Sequence, residues 1–169
     1  MNPLRAAKRL KDPRDLWLFT QILIMLVLLP RLISRSSMPD LLARIDPGAA
    51  EGNVREVAPG DVPGAPADLL SGGRDLRLMQ KTVGFTDTLI KYRIFQRYGK
   101  CLLRSLILFR FLRRQGWPVE IHFGVRKTAE GLADITGHSW LVLEGEPFLE
   151  NDQIGGYVTT YSYPAERSA

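Results

Sequence analysis

Cys101 is the only cysteine in this 169-residue chain, and it opens the apolar run CLLRSLILFRFLRR. Further on, Gly137-His138-Ser139-Trp140 heads a strand-like stretch. A thiol at the start of a helix and an imidazole on a strand are two parts that a cysteine nucleophile requires. A free thiol is mostly un-ionised at neutral pH, with a reference pKa of about 8.5. The unsatisfied N–H groups at a helix start favour the thiolate, and so does a nearby imidazolium. Cys101 follows Tyr98-Gly99-Lys100, which sets it in the first turn and adds a positive charge beside it. A buried cysteine in the middle of a helix would be read instead as a small hydrophobe.

His138 alternates with Trp140 and Val142 on one strand face. The competing base is His122, which lies mid-strand beside Glu120 and Arg126 and reads as a surface or structural residue. The third member follows from the hairpin around Glu144-Gly145-Glu146. With a three-residue loop, Leu143 faces Pro147, Trp140 faces Glu150 and His138 faces Asp152. His138, Glu150 and Asp152 then share a face. A carboxylate there fixes the imidazole tautomer and stabilises its charged form. Glu150 is the first choice and Asp152 the alternative; a one-residue slip would move both away and offer Asn151.

The elements that must position these groups are legible from periodicity. Asp12-Pro13 is a helix start, with Asp as N-cap and Pro in the opening turn, and that helix is expected to run to about Ser34. Met38–Ile45 adds a short helical turn. Leu76, Met79 and Val83 resume helical spacing, which pauses at Gly84-Phe85-Thr86 and returns up to Gly99. Cys101–Gln115 is apolar on most sides and should be the buried centre; Gly116 ends it and Pro118 prevents its return. Val119–Arg126 alternates as a half-buried strand, with Val119, Ile121, Phe123 and Val125 facing one way. Lys127–Thr136 is a polar connection to the hairpin. The fold class expected is α+β: N-terminal helices, then a central helix packed on a small antiparallel sheet.

Three regions are expected: residues 1–45 as an N-terminal helical part, 46–73 as a linker or long surface loop, and 74–169 as the core that carries the site. In the middle region ten of 28 residues are Gly or Pro, which suits a linker. The stretch Leu16–Pro30 follows a basic segment and resembles a signal or anchor. It is 15 residues long, ends at Pro30, and falls short of the roughly 20 that a spanning helix needs. It is read as a buried helix of a cytoplasmic protein, with peripheral membrane contact as the second reading.

Net charge is +5, with basic groups at Arg5, Lys8, Arg9, Lys11 and Arg14 and again at Arg104, Arg110, Arg113 and Arg114. Neither cluster has interleaved aromatics or a nucleic-acid motif, so a solvated basic face is the reading and nucleic-acid binding is not expected. One cysteine and two histidines, without CxxC or HExxH spacing, are too few for a zinc site. A single cysteine also forms no internal disulfide, which fits a reducing compartment.

Three blocks taken in order carry a resemblance: Cys101 to Gly116, Val119 to Arg126, and Gly137 to Pro147. Together, over about Leu89 to Asp152, they resemble the transglutaminase-like domain of the B protein of lasso-peptide maturation. That resemblance implies a papain-like Cys-His-acid hydrolase that removes the leader from a ribosomally made precursor peptide. It implies Cys101 as nucleophile and His138 as base; the acid is usually Asp, and Glu150 stands at the matching position. The front half shows no leader-binding module of short strands, so the chain resembles the split form. That form implies a separate leader-binding protein as partner and an ATP-dependent macrocyclase beside it. No cofactor is expected on this chain. The rivals are another transglutaminase-like acyl transfer or hydrolysis on an unrelated peptide, or a non-catalytic scaffold that holds a peptide or synthetase.

Overall fold

The computed structural model describes residues 12–49, 75–96, 98–127, 135–150 and 154–164. Among these residues, five helices and four strands follow in chain order: α1 (Pro13–Ile33), α2 (Met38–Ile45), α3 (Leu76–Ile90), α4 (Arg93–Gln96), α5 (Lys100–Arg114), β1 (Glu120–Lys127), β2 (Ile135–Leu143), β3 (Glu146–Phe148) and β4 (Val158–Tyr163). The strands form one antiparallel sheet in the order β3-β2-β1-β4. The architecture is α+β, as expected. Most of the 46–73 linker, the basic residues before Asp12 and most of the 127–136 connection lie outside the described residues.

Helix α5 forms the centre. Leu103, Leu106, Ile107, Leu108, Phe109 and Leu112 are fully buried, and the helix touches α1, α3, α4, β1 and β2. Side chains that point away from the sheet meet α1 and α3, so its apolar circumference is covered on all sides. The N-terminal helices share this core: Ile22, Leu26 and Leu29 of α1 and Leu41, Leu42 and Ile45 of α2 belong to the same hydrophobic cluster.

The arginines of α5 are fasteners rather than a free basic face. Arg110 donates to the Ile45 carbonyl at 3.0 Å, and Arg114 to the Gln21 side chain at 3.3 Å. Arg113 donates twice to Asp46, at 3.0 and 3.2 Å. That carboxylate is 4% exposed, and such an aspartate requires a charged partner. Tyr163 shares the neighbourhood: burial pushes its hydroxyl up from the ordinary tyrosine range, and the charge and hydrogen bond of Asp46 push it the same way.

One helix expectation is corrected and one is met. The expected pause at Gly84–Thr86 does not occur; α3 runs through it unbroken. The Thr82, Thr86 and Thr88 hydroxyls each return a hydrogen bond to the carbonyl four residues back. The first helix ends near Ser34, as expected, and carries Pro30 inside it. α1 continues to Ile33, with Ser34 N–H closing on the Pro30 carbonyl at 3.2 Å. Its 21 residues are long and apolar enough to cross a membrane by length and composition. One face is nevertheless buried in the core (Leu18, Ile22, Met25, Leu26, Leu29), while Leu16, Trp17, Ile24, Val27 and Leu28 on the other are exposed.

β1 keeps its expected alternation at its start, with Val119 and Ile121 fully buried, but Val125 is exposed at the far end. Its other face is not solvated, because the Trp140 ring of β2 lies over Gly124. A Cβ there would fall 2.8 Å from Trp140 Cη2 and 2.8 Å from the Val158 carbonyl. Around Gly84 there is open space. The two glycines should therefore respond oppositely to alanine. Gly84→Ala should stabilise by about 0.5–1 kcal/mol, since it removes only backbone freedom. Gly124→Ala should destabilise by about 1–3 kcal/mol through overpacking. Urea unfolding of the two variants reads both signs.

Candidate active site

Cys101 is the second residue of α5, two residues after the point where the chain enters the helix at Gly99. Gly99 sits at φ +81, a left-handed conformation that favours glycine, and offers no side chain to cap the helix. Leu103 N–H is the first to bond back, to the Gly99 carbonyl at 3.2 Å. The N–H groups of the opening turn are therefore left to whatever lies in front of the helix, and no acidic residue occupies that turn. Cys101 itself is half-buried and unpaired by any disulfide.

His138 arrives on β2, opposite Gly124 of β1. β3 ends at Phe148, which pairs with Leu141. From Trp140 towards Ile135 the β2 edge thus has no strand on that side among the described residues. A cleft of about 420 Å³ opens there, lined among others by Asp87, Lys100, Cys101, Arg104, His138 and Glu150. A hydrogen bond beneath it ties the two carriers together: Ser105 Oγ, one turn beyond Cys101, donates to the carbonyl of Ser139 at 2.8 Å, and the bond is buried. Helix start and histidine strand are thereby held against each other.

The imidazole is packed between aromatic rings. Trp140 stacks on it with centroids 6.0 Å apart and planes at 16°, and Tyr157 lies 5.2 Å away. The Arg126 guanidinium covers the Tyr157 ring at 4.6 Å. His138 Nε2 faces Glu150 Oε2 at 3.4 Å, with side-chain exposures of 9% and 11%. That buried nitrogen makes no hydrogen bond within ordinary limits, so the contact is electrostatic rather than an aligned bond. It leaves Nδ1 as the nitrogen for proton exchange elsewhere.

Glu150 reaches His138 by a route different from the one expected. The hairpin register is corrected: Leu143 pairs with Glu146 and Val142 with Pro147, so the loop is two residues, Glu144-Gly145, and not three. Both have positive φ, +55 and +83, the type I′ geometry that matches strand twist. Continued regularly, this register would set Glu150 opposite Ser139 and turn it away from His138. Leu149 prevents that, because its φ of +57 breaks the alternation and redirects the next side chain. The alternative acid, Asp152, lies outside the described residues, as does Asn151. His122 is elsewhere: its Nε2 meets Glu120 Oε2 at 3.0 Å, its ring neighbours the far side of Trp140 at 5.9 Å, and it does not line the cleft.

A thiol at a helix start, an imidazole with one nitrogen towards a carboxylate, and a bank of unused N–H groups can together carry acyl transfer through a thioester. No group of three or more His, Cys, Asp or Glu able to hold a metal occurs among the described residues. If this grouping governs the thiol, His138→Ala should slow iodoacetamide alkylation of Cys101 at pH 7 by at least about tenfold, the effect of roughly 1.4 kcal/mol on the thiolate. His122→Ala should leave the rate within about twofold. Equal rates in all three proteins would dissolve the pairing.

Residues 65–162 match the family model of the transglutaminase-like superfamily, a span that begins before α3 and ends within β4. No curated protein and no solved structure matches the chain.

Proposed function

We propose that this chain, which belongs to the transglutaminase-like superfamily, is a cysteine peptidase that removes the leader from a ribosomally made precursor peptide. In this reading it works as the stand-alone B protein of lasso-peptide maturation does. The observation that carries the reading is the meeting of Cys101, His138 and Glu150 in one cleft. Cys101 attacks the scissile carbonyl as thiolate, and the tetrahedral oxyanion is held by backbone N–H groups of the first turn of α5, that of Cys101 among them. His138 gives its proton to the leaving amine, and the acyl-enzyme is then hydrolysed by water that His138 deprotonates. Glu150 keeps Nε2 turned inward and stabilises the imidazolium. The chemistry needs no metal or organic cofactor, and ATP would serve a partner macrocyclase.

Selection of one bond in a flexible peptide is assigned to a separate leader-binding protein, which raises the local concentration of that bond, to about millimolar for a short tether. Its docking face is assigned to the outer side of α1. Trp17, Ile24, Val27 and Leu28 are exposed there, and Arg31, Arg35, Arg44 and Arg110 line the adjoining groove with Leu28 and Leu32. Such a face suits an acidic, apolar patch on the partner. The chain is proposed to be cytoplasmic, because one face of α1 is already committed to the core.

Purified protein, a leader-bearing precursor and the leader-binding partner should give one cleavage product by mass spectrometry. Cys101→Ala should give none, and Glu150→Gln should lower kcat by at least about tenfold, as removal of roughly 1.4 kcal/mol of charge interaction with the imidazolium would. Trp17→Asp with Ile24→Asp should reduce partner-dependent cleavage while leaving Cys101 alkylation unchanged. Efficient cleavage without the partner would refute the partner requirement. A reactive Cys101 with no cleavage of any precursor would favour another acyl transfer.

Expressed without detergent, the protein should stay in the supernatant after high-speed centrifugation. Recovery from membranes alone would overturn the cytoplasmic assignment.

A further inference from the structure

The turn at Leu149 raises the question of what holds a leucine in a left-handed conformation. That conformation costs a non-glycine residue about 1 kcal/mol or more. Neither strand pairing nor a tight hairpin imposes it, since β3 has already ended at Phe148. Two contacts hold the residue. Its side chain packs against the hydrophobic core, and its carbonyl accepts a hydrogen bond from Arg104 Nη1 at 2.9 Å.

Arg104 lies three residues after Cys101, on the cleft side of α5. Its Nε donates to Asp87 Oδ1 of α3 at 2.7 Å, and its side chain is 20% exposed. The guanidinium is a rigid planar fork whose donors have fixed directions. With one arm set by Asp87, the direction of the other is no longer free, and it falls on the carbonyl of the residue before Glu150.

We propose that Arg104 is a positioning residue: anchored by Asp87, it clamps the Leu149 carbonyl and so aims Glu150 at His138. The inference rests on Glu150 as the acid partner of His138. Its geometric content is specific. Without the clamp, Leu149 relaxes towards extended backbone, and the observed hairpin register then carries Glu150 to the Ser139 side of the strand. Lysine cannot replace Arg104, because one ammonium on a flexible stem has no second arm in a fixed direction.

A double-mutant cycle separates positioning from mere stabilisation. The readout is the iodoacetamide alkylation rate of Cys101 at pH 7, which requires no peptide substrate, with folding checked by circular dichroism. Arg104→Met and Glu150→Gln should each slow alkylation about tenfold, Arg104→Lys should not restore it, and the double variant should be no slower than either single one. If Glu150→Gln slows alkylation but Arg104→Met does not, the positioning role is overturned. It is equally overturned if the two losses multiply. If neither Glu150→Gln nor His138→Ala changes the rate, the acid–imidazole reading fails first and takes this inference with it. Should Arg104→Met not fold, Asp87→Asn removes the anchor while leaving the clamp residue in place. It should then show the same non-additivity with Glu150→Gln, and its absence would count against the proposal.

Discussion

A helix that is apolar around most of its circumference has little surface to give to water, and α5 is such a helix. Six of its side chains are fully buried, so its stability depends on being enclosed: by the sheet on one side, and by α1 and α3 on the other. Full burial of each large side chain is worth about 1.5–3 kcal/mol. That requirement fixes more than stability. The helix must begin at the surface for the chain to enter it, and the entry point is Gly99-Lys100-Cys101. The thiol stands at a surface end of the buried element, beside the cleft, while the middle of the helix is sealed.

The superfamily match covers residues 65–162, and α1 and α2 precede it. They are nonetheless part of the same enclosure. Arg110, Arg113 and Arg114 run along the back of α5 and are spent on α1, α2 and the Asp46 cap. A group of arginines that reads in the sequence as a solvated basic face is a set of rivets between family core and N-terminal helices. The basic face expected from composition disappears because long side chains can lie along a helix and deliver their charge to a neighbour.

The helix start at Asp12-Pro13, the first-turn place of Cys101, the end of α5 near Gly116 and the strand that carries His138 were all legible in the sequence. Each has a local cause: a cap, a glycine with positive φ, or a period of two. What was not legible is non-local or carried by an atypical residue. Glu144 takes a left-handed turn position that Asn, Asp or Gly usually fills, so the loop looked one residue longer than it is. Leu149 takes such a conformation with no propensity for it, and only its core contact and the arginine on α5 explain it. These two departures act in opposite directions on the same side chain. The register turns Glu150 away from the imidazole and the backbone at Leu149 turns it back, so the expected pair forms by an unexpected path.

The stack of Trp140 on His138, 6.0 Å apart and nearly parallel, gives the site an optical property. A protonated imidazole in contact with an indole ring quenches its emission, whereas the neutral ring does so far less. The chain has three tryptophans. Trp17 is 64% exposed on α1, and Trp117 is buried against Phe148. With those two replaced by phenylalanine, and His122, which also neighbours the Trp140 ring at 5.9 Å, replaced by alanine, the remaining fluorescence comes from the ring that lies on His138. Gain and loss of charge on His138 become visible as intensity in real time, without labels and before any substrate is known.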